Sequence, residues 1–264
     1  MENNDRIAVL IDADNVSEKY IQYIMDEVSN YGTPTYKRIY GDWTKPQLSS
    51  WKPTLLNYSI TPIQQYNYTT GKNSTDSALI IDAMDILYSA SVDGFCIVSS
   101  DSDFTRLAAR LREAGMRVIG MGEKKTPAPF RASCEQFKYL EVLAAQIDDH
   151  PDDEEGKAKQ ETKKTSPPTA GEMKKLVGVL RPIINELSDE DGWANLGAVG
   201  NMLGRRWPDF DTRNYGYIKL SALMGSLKQF VVEFRKQDNA HQTLAYVRNK
   251  TVRRRRAKSA DKAE

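Results

Sequence analysis

Short apolar runs alternate with longer amphipathic ones along the first half of the chain. The segment from Arg6 to Ile11 is brief, apolar and β-branched, which predicts a buried strand. Ser17 precedes Tyr20, Ile21, Ile24, Met25 and Val28 at helical spacing and is the expected N-cap of a helix over about 18–31. Further strands are expected at about 35–40, 60–66, 94–99 and 117–121. Helices are expected at about 43–58, 75–89 and 104–114, the last closed by Gly115, while 130–145 reads as helical or irregular. Strand alternating with helix predicts an α/β domain with a mainly parallel sheet and helices on both faces. In such sheets, sites form beyond the carboxyl ends of the strands.

The pattern breaks at 147–169, an acidic stretch followed by Lys163-Lys164-Thr165-Ser166-Pro167-Pro168, which reads as a flexible linker. The expected organisation is a first domain at 1–146, the linker, a second domain at 170–247 and a basic tail at 248–264. In the second domain helices are expected at about 172–187, 194–206 and 218–229. Phe230 to Phe234 and Leu244 to Val247 flank Gln237-Asp238-Asn239 and read as a hairpin, so a small winged-helix-like α+β module is expected.

Composition refines this picture in three places. A chain of 264 residues with 40% apolar content supports one large or two modest cores. Its net charge of +1 conceals an acidic stretch at 148–155 and a run of arginines from Arg253 to Arg256. Cys96 and Cys134 form neither a disulfide framework nor a CxxC motif, and Cys96 reads as a small core residue. The chain begins without a signal-like segment and no run approaches the ~18–20 apolar residues that span a bilayer, so a cytoplasmic, reducing setting without membrane contact is expected.

The candidate chemistry lies in aspartates. Asp12 directly follows Val9-Leu10-Ile11, so its side chain should leave a strand end, with Asp14 alternating to the same side and Asn15 adding an amide. A turn or cap role competes for Asp14 and Asn15. Asp76 opens the helix at 75–89 on the line of Ile80, Ala83 and Leu87, where a dipole-complementing carboxylate is the alternative. Asp82 lies round from that line, and Asp85 reads as a solvated charge. Asp101 follows Ile97-Val98-Ser99-Ser100 and mirrors Asp12, while Asp103 or Ser102 would suit an N-cap. Carboxylates gathered at one sheet edge repel each other and lose solvation, and a shared divalent cation relieves both costs.

Ile-Asp-Ala-Asp-Asn (11–15), Gly-Lys-Asn-Ser-Thr-Asp-Ser-Ala-Leu-Ile-Ile-Asp-Ala-Met-Asp (71–85) and Ser-Ser-Asp-Ser-Asp-Phe (99–104) together resemble the NYN domain, a branch of the PIN-like nucleases. The resemblance spans about 6–140 and implies a three-layer α/β/α fold with RNA cleavage dependent on Mg²⁺ or Mn²⁺. Position by position it implies Asp12, Asp76 and Asp101 as metal-holding acids and Asp103 as a further catalytic acid. It gives Asp14, Asn15 and Asp82 supporting roles. Residues 170–247 resemble the LOTUS (OST-HTH) domain through Gly192-Trp193-Ala194-Asn195-Leu196-Gly197-Ala198-Val199-Gly200, Phe210, Tyr215-Gly216-Tyr217 and Leu220-Ser221-Ala222-Leu223. That family implies a winged-helix RNA binder, in some members with a preference for G-rich RNA.

The expected activity is hydrolysis of single-stranded RNA by water activated at the metal, because His150 and His241 fall in the linker and the hairpin loop. Phosphate contacts are expected from Arg38, Lys72, Lys124 and Lys125, with Lys37, Lys45 and Arg131 as further candidates, and from Arg205 and Arg206 in the second domain. Tyr40, Trp43, Tyr66 and Tyr68 are candidates for base stacking. A homodimer is compatible with the sequence. The alternatives are an RNA-binding adaptor without catalysis, and a haloacid-dehalogenase-like phosphatase with Asp12 as nucleophile. A P-loop is excluded because Tyr66 stands where its first glycine belongs.

Overall fold

A computed structural model describes residues 5–66, 74–145, 169–236 and 243–250. The chain divides into two units, Met1–Pro167 with Gly204–Asn214, and Pro168–Leu203 with Tyr215–Glu264. Most of the expected linker, the tail beyond 250, the hairpin loop, Tyr68, Lys72, His150 and His241 lie outside the described residues.

In the first unit the elements run β1 (Arg6–Asp12), α1 (Ile21–Ser29), β2 (Thr33–Gly41), α2 (Trp51–Tyr58), β3 (Thr61–Gln64) and α3 (Ser74–Tyr88). They continue with β4 (Gly94–Val98), α4 (Thr105–Glu113), β5 (Arg117–Gly122), α5 (Ala128–Ser133), β6 (Gln136–Tyr139) and α6 (Leu140–Ala144). The strands form one six-stranded sheet in the order β3-β2-β1-β4-β5-β6. Every pairing within it is parallel, as the strand–helix alternation predicts. The order reverses between β1 and β4, so the loops leaving these two strands diverge and open a crevice there.

Side chains alternate across β1, and each set meets its own core. Ile7, Val9 and Ile11 pack with Ile24 and Val28 of α1, Trp51 of α2 and Leu140 of α6. Ala8 and Leu10 pack with Leu79, Ala83 and Ile86 of α3, Leu107 and Leu111 of α4, and Phe130 of α5. Asp12 therefore belongs to the α3 side. The buried line of α3 is Leu79, Ala83 and Ile86 rather than the expected Ile80, Ala83 and Leu87. Cys96 and Cys134 are buried, and burial pushes both thiols upward, Cys134 to about 12, so both behave as core residues.

Three local expectations are corrected. Ser17 makes no side-chain cap, because a 3₁₀ turn at Glu18–Tyr20 precedes α1. The stretch 43–58 is broken into a 3₁₀ turn at Pro46–Leu48, with Pro46 setting its start, and α2. The stretch 130–145 contains β6, whose four residues pair with β5 but are too short and too polar to show a period.

Residues 204–214 cluster with the first unit through charge. Arg213 donates two hydrogen bonds to Glu27 at 2.9 and 3.0 Å and two to Asp211 at 2.9 and 2.7 Å. Lys138 of β6 pairs with Asp211 at 2.6 Å, and the Phe137 amide donates to the Pro208 carbonyl. Burial alone would raise Asp211, but Arg213 and Lys138 outweigh it and hold the carboxyl at about 2.

In the second unit, α7 (Ala170–Leu187) begins with a reciprocal capping box between Thr169 and Glu172. It is followed by β7 (Ala194–Asn195), α8 (Leu196–Arg206), whose final turn clusters with the first unit, then α9 (Leu220–Ser226), β8 (Phe230–Lys236) and β9 (Thr243–Asn249). The strands form an antiparallel sheet in the order β7-β9-β8 over a core that includes Leu176, Leu180, Ile183, Val199, Leu223 and Val247. Strand β7 is not expected from sequence, since two residues carry no pattern. No described helix is long and apolar enough to cross a membrane.

Two stability predictions follow from these contacts. A carboxyl held below its unfolded value stabilises above that value and loses the contribution as pH falls through the folded one. Replacing Asp211 by Asn should therefore cost about 2 kcal/mol in denaturant unfolding at pH 7. The gap to wild type should close between about pH 4 and pH 2, and a pH-independent gap would show that the ion pairs are not its source. The second concerns Gly122, where an added Cβ would lie 2.5 Å from the Ser99 carbonyl oxygen. Gly122→Ala should destabilise by about 1–3 kcal/mol. Gly178→Ala, inside α7 with open space around it, should instead stabilise by about 0.5–1 kcal/mol. Urea midpoints of the two variants read both signs.

Candidate metal centre

Asp12 ends β1 and is fully buried. Its Oδ2 accepts hydrogen bonds from the Ser99 hydroxyl at 2.8 Å and the Asn15 amide at 2.7 Å, and its Oδ1 accepts from the Asp14 backbone at 3.0 Å. These donors come from the turn after β1 and the residue after β4, so one carboxylate ties both lips of the crevice together. Burial raises the Asp12 carboxyl above its ordinary range, and the hydrogen bonds from Ser99 and Asn15 oppose that rise. A carboxylate enclosed in this way is poorly placed to attack an outside phosphate, which weighs against the phospho-aspartate alternative.

Asp76 sits in the first turn of α3. Thr75, buried beside it, donates to Asp14 Oδ2 at 3.1 Å and so fastens the start of α3 to the turn after β1. Asp101 follows β4, where its Oδ1 accepts from the Asp103 amide at 3.0 Å and caps the 3₁₀ turn at Ser102–Phe104. The cap is thus Asp101 itself, not Asp103 or Ser102. The Ser99 hydroxyl also accepts from the Asp101 amide at 3.1 Å, so one serine organises both acids.

Asp76, Asp101 and Asp103 each present a carboxylate oxygen, and these oxygens lie within 4.8 Å of one another. Two ligands of a magnesium-sized ion, each about 2.1 Å from it, can be at most about 4.2 Å apart. Small rotations of these side chains would therefore bring the three oxygens onto one ion. Asp76 and Asp101 are half-buried and Asp103 is exposed, which suits an ion that keeps some of its water. The Asp76 carboxyl is pushed up to about 6, first by burial and then by the charges of Asp12, Asp101, Asp103 and Asp14. Four carboxylates acting on a fifth form a field that a divalent cation would neutralise.

The other expected site residues are placed apart from this cluster. Asp82 is bound by Arg38 and by the Tyr40 hydroxyl. Tyr40 is fully buried, so its ring is closed to base stacking, and the Trp43 indole donates to the Ile63 carbonyl. Lys37 donates to the Tyr58 carbonyl, Lys125 pairs with Glu123, and Arg131 pairs with Asp209. Lys45 approaches Asp14 at 3.7 Å. Lys124, Arg205 and Arg206 are exposed, as is Tyr66. Sequence reasoning overlooked Ser99 and Thr75; the only signal was a hydroxyl residue at a strand end or helix start beside an acid.

A family model for the NYN domain matches residues 6–141, and one for the OST-HTH/LOTUS domain matches residues 171–242. Among solved structures, a protein of unknown function from Vibrio parahaemolyticus is 17% identical, covering 53% of this chain and 94% of its own, with a TM-score of 0.44. An uncharacterized protein from Nitrosomonas europaea is 30% identical over 40% of this chain and 95% of its own, with a TM-score of 0.30. A Chromobacterium violaceum fragment is 26% identical over 31% of this chain and 88% of its own, with a TM-score of 0.25. No curated protein matches significantly. The parallel sheet, the acids at its reversal point and the family match agree, and the chain belongs to the NYN domain family, within the PIN-like nucleases, with an OST-HTH/LOTUS domain following it.

Proposed function

We propose that the chain is a divalent-metal-dependent ribonuclease that cleaves single-stranded RNA. The observation that carries this reading is the convergence of Asp76, Asp101 and Asp103 oxygens to within 4.8 Å at the edge where the sheet order reverses. Asp76, Asp101 and Asp103 would hold Mg²⁺ or Mn²⁺, the hard cations that carboxylate oxygens favour. When bound, such an ion supplies Lewis-acid activation of water and neutralises charge on the phosphate. Asp12, behind the cluster, adds negative potential and keeps Ser99 and the turn after β1 in position. Asp103, the most exposed of the three acids, would orient the attacking water and accept its proton at a carboxylate oxygen.

The OST-HTH/LOTUS domain would capture RNA, and its attachment to the nuclease domain raises the local concentration of substrate at the acids. Arg205 and Arg206, exposed at the end of α8, and Lys124 are the described cations proposed to meet the phosphate backbone. Water is the nucleophile in this scheme because no described histidine stands near the cluster.

The test is cleavage of an end-labelled single-stranded RNA, and of the same sequence as DNA, in Mn²⁺, Mg²⁺ or EDTA. Wild type should cut RNA only with metal. Asp76→Asn and Asp101→Asn should each lower the rate roughly 100-fold or more, since several kcal/mol of transition-state stabilisation depend on the ion. RNA that is bound in a gel shift yet intact in every metal would overturn the nuclease and leave an RNA-binding adaptor.

A further inference from the structure

A cleft of about 620 Å³ opens beside the acids, between the turn after β1 and the segment that leads into α2. Its volume falls within the range of roughly 300–1,000 Å³ typical of small-molecule sites. Val16, Leu48 and Trp51 line it and are all buried, which makes an apolar wall. Asp14, Glu18, Lys45 and Gln47 line it as well, and are less buried, which makes a polar rim. The cleft adjoins the candidate metal centre through Asp14. That residue's amide donates to Asp12, and its carboxylate accepts from Thr75, the neighbour of Asp76.

The wall and rim have different chemistry. An apolar wall favours a flat, neutral ring rather than a phosphate. Two carboxylates on the rim repel a phosphate and also repel carbonyl oxygens, but they accept hydrogen bonds from amino groups. Lys45, 3.7 Å from Asp14, is the cation on the rim that could meet the adjoining phosphate. We propose that this cleft is a nucleobase subsite that seats a base next to the scissile phosphate and favours adenine, cytosine or guanine over uracil. Each favoured base carries an exocyclic amine for Glu18 or Asp14. Uracil instead offers two carbonyls that flank a single N–H. The subsite rests on the ribonuclease reading for its role, but its occupancy can be measured without any cleavage.

The experiment uses the full chain, with AMP, CMP, GMP and UMP as probes in titration calorimetry and amide NMR. AMP, CMP and GMP should each bind about tenfold tighter than UMP, with shifts centred on residues 13–18 and 45–51. Glu18→Gln should narrow the difference. Gln47→Trp, on an exposed position of the rim, should weaken every nucleotide about tenfold or more by filling the cleft. Both variants should keep the wild-type Mn²⁺ titration and circular dichroism, which separates the subsite from the metal centre and from misfolding. Equal binding of CMP and UMP, shifts confined to other surfaces, or wild-type affinity in Gln47→Trp would each overturn the subsite. RNA cleavage without nucleotide binding in the cleft removes the subsite alone. Nucleotide binding with the expected preference, in a protein that leaves RNA intact, removes the nuclease and keeps the subsite.

Discussion

The buried carboxylate of Asp12 is the constraint on which the site is built. An acid with no exposed surface is stable only if its oxygens are bonded. Here the partners are Ser99 beyond β4, and Asn15 and Asp14 beyond β1. Satisfying one carboxylate therefore fixes two loops that belong to neighbouring strands. The same serine accepts from the Asp101 amide, and Asp14 is in turn held by Thr75 at the start of α3. Three separate parts of the sequence are thus drawn to one point, and each brings an acid with it.

That arrangement is electrostatically costly without a counter-charge. Burial and mutual repulsion lift Asp12 and Asp76 above the ordinary carboxylate range. Many of the cations nearby in the fold are committed elsewhere. Arg38 binds Asp82, Lys37 donates to a carbonyl, and Arg213 and Lys138 serve Glu27 and Asp211. The acids at the sheet reversal are consequently left with a strong negative field and little protein charge to answer it. A mobile divalent ion is the natural complement.

Some of this was legible in the residues alone. The β-branched run before Asp12 and the matching run before Asp101 place both acids at strand ends, and alternation along β1 assigns Asp12 to the side of Ala8 and Leu10. The position of Asp76 in the first turn of α3 also follows from pattern. Other features were not legible. Four residues of β6 are too few to establish a period, and the pairing with β5 defines them. Tyr40 looked like a stacking residue, but it is buried with its hydroxyl on Asp82. Arg38 looked like a phosphate contact, yet the same Asp82 engages it.

Local pattern, then, determined the order of strands and helices, the parallel character of the sheet and the strand ends from which the acids emerge. These depend on periodicity and on residues close in the chain. Only the tertiary structure decided which three carboxylates converge, since Asp76, Asp101 and Asp103 meet through the reversal in strand order and the hydroxyls of Ser99 and Thr75. It alone decided that Glu27, Lys138, Asp211 and Arg213 form one network. Charges separated by up to 186 positions in sequence interact through distance in space, and sequence spacing contains no record of that distance.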